Sequence, residues 1–114
     1  MSDWLLHVRR DIRARAYRSG GEFGWSRQDA VWIAENLRGA HFLVIGVDVW
    51  LPTHPGPTIP TPFVYDWELR AELRSSDYPV AAAEFIRNFK WADTDASHQG
   101  LVPYFNLTVV RVDT

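Results

Sequence analysis

The chain has 114 residues and no cysteine, which excludes a disulfide framework and any thiolate metal site. Lysine is nearly absent as well. Lys90 stands alone among twelve basic residues, and the other eleven are arginine, a bias expected of GC-rich coding. No segment approaches the ~20 consecutive apolar residues of a membrane helix. Arginines interrupt the N-terminal MSDWLLHVRRDIRARAYRSG before it reaches the apolar length of a secretory signal. A cytoplasmic protein with no membrane association is the expectation. Asn106-Leu107-Thr108 is then a glycosylation sequon in form only.

Catalytic signatures are missing too. His7, His41, His54 and His98 sit in four different elements, with no HxH or HExxH spacing. Gly20-Gly21 opens no phosphate-binding strand-to-helix turn, and Ser75-Ser76 reads as a helix entry rather than a nucleophile elbow. With no nucleophile, base and orienting group to assemble, no cofactor and no enzyme activity are expected. A pI near 6.0 argues against a nucleic-acid partner.

What is present is a globular composition, 46% hydrophobic and 23% charged. The length suits a single domain over residues 1–114, able to bury roughly two-thirds of its unfolded surface. The net charge of −2 is unevenly distributed. Residues 1–38 carry seven arginines against five acids, and residues 39–114 carry five basic residues against nine acids.

Hydrophobic spacing predicts three helices. Trp4, Leu5, Val8, Ile12 and Ala16 share one side of a first helix, which Ser19-Gly20-Gly21 should end. Phe23 and Trp25 then lie in a connector. Ser26 caps a second helix, with Asp29 placed as in a capping box. Its core stripe is Ala30, Ile33, Ala34 and Leu37, and Gly39 closes it. Trp32 falls on the far side, as a second buried contact or an exposed aromatic. Asp77 caps a third helix with Pro79 in its first turn and Ala82, Phe85, Ile86 and Phe89 as its stripe.

Period-2 alternation marks the strands. FLVIGVDVWL and FVYDWELR flank a loop, Pro52–Pro62, that holds five prolines in eleven residues. This loop is stiff by composition, either presenting His54, Thr58 and Ile59 to a partner or only guarding a sheet edge. Leu43, Ile45, Val47, Val49 and Leu51 should share a core face with Phe63, Tyr65, Trp67 and Leu69. A last strand follows at Tyr104–Val112, pairing beside either of the first two. The fold class is α+β, in the order α-α-β-β-α-β, with a three-stranded, largely antiparallel sheet and helices packed on one face.

The outer face of that hairpin is acidic. Pairing Leu51 with Phe63 sets Asp48 opposite Asp66 and Gly46 opposite Glu68. A two-residue slip sets Asp48 opposite Glu68 or Val64. Like charges directly opposite destabilise a sheet by an amount on the order of ~0.2–1 kcal/mol, so folding gives no reason for them. Three explanations remain open. The acids are solvated or paired with Arg70 or Arg111; they receive a cationic partner; or they form a metal or acid–base site. The last is the alternative function, a small metal- or carboxylate-dependent hydrolase using Asp48, Asp66 and Glu68. Trp50 shares this face, as an interface anchor or as a side chain covered by the rest of the fold. Closure of a homo-oligomer by the same face leaves self-association open.

Two motifs carry a family resemblance. Gly46-Val47-Asp48-Val49-Trp50 and Tyr65-Asp66-Trp67, the second with its Trp shifted by one place, resemble the Imm40-type immunity proteins of bacterial polymorphic toxin systems. The similarity covers roughly residues 28–90. It implies a protein that binds and neutralises a cognate toxin with a basic surface. Asp48, Trp50, Asp66 and Glu68 would be the partner-binding residues.

Overall fold

The structure, a computed structural model, describes residues 3–51, 59–65, 77–90 and 102–111. The proline loop up to Thr58, Trp67 to Arg70, the Ser75-Ser76 entry, Trp91, His54 and His98 lie outside the described residues. Among those described, no helix is long and apolar enough to cross a membrane.

The N-terminal stripe packs as expected, but on a broken backbone. A 3-10 turn at Asp3–His7 precedes α1, which spans only Arg10–Arg15. Leu5, Val8 and Ile12 are buried, and Trp4 and Ala16 pack against the same core. Arg9 between the two pieces is extended, with φ −53 and ψ 141. The expected helix through residue 18 gives way to a hairpin, with β1 at Tyr17–Ser19 and β2 at Glu22–Gly24. Ser19 pairs with Glu22 around the two-residue turn Gly20-Gly21, whose φ values are +57 and +86. Two consecutive positive φ values define the type I′ turn that matches strand twist. The glycines therefore make a hairpin rather than a helix stop, and the expected connector is a strand.

Helix α2 spans Arg27–Asn36. Ser26 caps it by accepting the Asp29 N–H at 3.3 Å. Ala30, Ile33, Ala34 and Leu37 are all buried, as their spacing requires. A 3-10 turn at Leu37–Ala40 closes it. Helix α3, Asp77–Asn88, lays Ala82, Ala83 and Ile86 into the same core, and Phe89 joins them just past its end. Arg27 ties the two helices together. Its Nη1 donates to the Ile86 and Arg87 carbonyls at the α3 C-terminus, at 2.5 and 3.1 Å, and its guanidinium lies 5.6 Å from the Phe105 ring centre.

The main sheet is antiparallel, in the order β4-β3-β5, with β3 at Phe42–Leu51, β4 at Ile59–Tyr65 and β5 at Tyr104–Arg111. The last strand thus pairs with β3 and makes it central. Helices α2 and α3 cover one face. The α+β class holds, and the small hairpin extends the order to α-β-β-α-β-β-α-β.

Two irregularities correct the strand reading. Gly46 pairs with Thr108 but Val44 pairs with Val109, so Ile45 is an extra residue in β3. Such a bulge shifts the alternation by one. Val47 and Val49 face the helices as expected, but upstream of the bulge it is Phe42 and Val44 that join the core cluster; Leu43 is buried as expected but outside that cluster, and Ile45 is only half-buried. On the other side, Leu51 pairs with Ile59 rather than Phe63, and Asp48 pairs with Val64. Between Asp48 and Trp50 the single residue Val49 stands against three of β4. Pro60 and Pro62 lack the N–H that a regular ladder needs and are tolerated because β4 is an edge strand.

Candidate functional site

The face of the main sheet away from the helices carries Asp48 at its centre. Alternation from Val47 and Val49 puts Gly46, Asp48 and Trp50 on this outer row of β3. Across on β5 stand Thr108, Asn106 and Tyr104, and across on β4 stand Val64, opposite Asp48, and Pro60, opposite Trp50.

The row divides into an apolar half and a polar half. Trp50 is 4% exposed. Its indole reaches over β5 to Gly24, where a Cβ would stand 2.7 Å from Cε3 and 3.0 Å from Cζ3. Tyr17 and Tyr104 continue this half, with ring centres 5.8 Å apart. Glycine at 24 therefore makes the seat for the indole. Of the two roles open to Trp50, interface anchor or a side chain covered by the rest of the fold, the second describes its packing, and it presents little surface. The polar half holds half-buried Asp48 and exposed Thr108. Asn106 is turned to the hairpin, where its Nδ2 donates to the Phe23 carbonyl at 2.9 Å.

Of the acids expected beside Asp48, Asp66 and Glu68 lie outside the described residues. The direct Asp48–Asp66 pair is not formed, because Val64 occupies the position opposite Asp48. Arg111 faces Phe42, six positions along β3 from Asp48. Among the described residues, no group of three His, Asp or Glu side chains comes together as a metal site.

A second charged cluster was not foreseen. Asp29, 4% exposed, receives Arg15 in a forked contact, Nη2 to Oδ1 at 2.8 Å and Nε to Oδ2 at 3.1 Å. This two-point fit compensates a buried carboxylate, and it raises the Arg15 pKa. Arg9 and Arg15 also reach Asp11, and Arg9 stacks 5.7 Å from the Trp32 ring centre. Trp32 is thus half-buried, between the two roles expected for it.

The Arg9 hydrogen bonds hold the exposed Asp11 carboxyl below its ordinary 3.8. A depressed folded-state pKa gives stability that is present above 3.8 and lost as pH falls through the lower folded value. Carboxyl-carbon NMR titration should find the Asp11 midpoint below 3.8, and Arg9→Ala should move it upward. An unmoved midpoint would show that Arg9 is not its partner in solution.

Sequence reasoning also missed a groove between β2 and β5. It measures about 610 Å³, and its lining includes Trp4, Phe23, Trp25, Leu107 and Val109. The aromatic residues were visible, but not the divergence of the two strands that opens the space between them.

No protein-family model matches the chain, and neither a curated protein nor a solved structure matches it.

Proposed function

We propose that this protein is a non-enzymatic inhibitor, an immunity protein of the Imm40 kind, that binds a cognate bacterial toxin through the acidic outer face of its main sheet. The observation that carries this reading is the position of Asp48. A half-buried carboxylate stands mid-strand on the central strand, on the face opposite the helices. An acidic face accelerates encounter with a basic surface. Asp66 and Glu68 extend the acidic set in this reading. Trp50 serves it indirectly, by packing the end of the face.

The test looks for a toxic C-terminal domain encoded beside the gene and pairs the protein with it. Co-expression should restore growth, and the purified pair should associate. Combined Asp48→Asn and Asp66→Asn replacement should slow association roughly 10-fold at low ionic strength and make it less sensitive to salt. Far-UV circular dichroism should be unchanged. An unaltered association rate, or no protection by the parent protein, overturns the proposal.

A further inference from the structure

Where β2 leaves β5, the sheet keeps an open edge among the described residues. Trp25 and Phe105 exchange both backbone hydrogen bonds, each 2.8 Å long. The Phe105 N–H and C=O therefore point away from β3. The period of a strand puts the N–H and C=O of Leu107 and Val109 on that same outer edge. A regular continuation of the ladder would bring Phe23 to Leu107. Instead Phe23 belongs to the hairpin, opposite Arg18, and its carbonyl accepts from the Asn106 side chain. Among the described residues, no backbone group meets Leu107 or Val109 on this edge.

The groove of about 610 Å³ occupies the resulting gap. That lies within the ~300–1,000 Å³ of a ligand cleft. Edge strands are commonly blunted by lysine, proline or inward charge, yet Leu107-Thr108-Val109-Val110 carries none of these. The chemistry of the gap selects its occupant. Donors and acceptors spaced at the strand period match an extended backbone. Half-buried Trp4, Phe23 and Val109 match apolar side chains. Exposed Glu22 on the wall, without an ion pair among the described residues, matches a basic one.

We infer that this groove binds an extended segment of another protein, which adds to the Leu107–Val109 edge of β5 as an antiparallel strand. Its apolar residues alternate with basic ones. This inference goes beyond the acidic-face reading and does not rest on it.

The probe is the peptide acetyl-KVKVKV-amide, with amide hydrogen exchange followed by NMR. In the free protein, Leu107 and Val109 should exchange at least ~10-fold faster than Asn106 and Thr108, which face β3. Saturating peptide should slow Leu107 and Val109 by a similar factor. An N-methylated version and acetyl-EVEVEV-amide should not. Val109→Pro removes the outward N–H at a position where an edge strand tolerates proline, and it should abolish the effect. If that variant fails to fold, the N-methylated peptide still decides the matter. Slow exchange at both residues in dilute free protein overturns the proposal, as does equal binding of the N-methylated peptide. Protection that rises with protein concentration alone would identify a second copy as the occupant and overturn it too.

Discussion

Replacing Trp25 by alanine is expected to cost about 3–5 kcal/mol, the range for truncating a fully buried aromatic. Trp25 is 1% exposed and joins elements that are distant in sequence. Its ring lies 6.1 Å from that of Trp4 and 5.8 Å from that of Phe23, and its backbone is bonded to Phe105. The two backbone bonds hold the site open, so the surroundings cannot collapse into the space the indole leaves. Natural domains have only about 5–15 kcal/mol in total, so the variant should be marginally folded. With a urea slope of about 1–3 kcal/mol/M, its unfolding midpoint should drop by roughly 2 M. Trp25→Phe keeps an aromatic ring against Trp4 and Phe23 and should cost less. A loss below ~1.5 kcal/mol for the alanine variant would show that the hairpin is held by its backbone bridge and not by this ring.

The contrast between residues that could be placed from sequence and those that could not follows from the range of the interactions involved. Ala30, Ile33, Ala34 and Leu37 declare a helix face because the period is local and only one phase of it is apolar. In β3, Phe42-Leu43-Val44-Ile45 is apolar in both phases. Either phase could face the core, and the bulge at Ile45 that selects one depends on pairing with β5. Gly20-Gly21 carried two compatible meanings, helix stop and hairpin turn. The flanking Tyr17-Arg18-Ser19 and Glu22-Phe23-Gly24 form strands in the structure, although each is too short to signal one alone. The side of the sheet that Asp48 occupies was legible, since alternation is intact from Gly46 onward. The choice between the two readings of Trp50 was not, because its seat is a missing Cβ at Gly24, 26 residues earlier and on another strand. The groove beside β5 lacks any local signal, since it exists only where two strands part.

Gly24→Val should lower stability by about 1–3 kcal/mol, the range of overpacking in a filled interior. The new Cβ would stand 2.7 Å from Trp50 Cε3 and 3.4 Å from Tyr104 Cβ, before valine adds two further carbons. Trp50 has no free space to step into, being 4% exposed. The direction of the change makes this a sharp test. In an ordinary strand, valine in place of glycine is favourable by up to ~1 kcal/mol, so a rise in thermal midpoint would overturn the seat for the indole. A double-mutant cycle with Trp50→Ala isolates the contact. With the indole removed, valine at 24 should become neutral or stabilising, leaving a coupling of roughly the full overpacking cost. The same cycle bears on function. If Trp50 acts by packing the end of the acidic face, partner binding by Gly24→Val and Trp50→Ala should fall with their loss of stability, and conditions that restore the fold should restore binding. Trp50→Ala protein that is fully folded yet does not bind would mean the indole meets the partner directly.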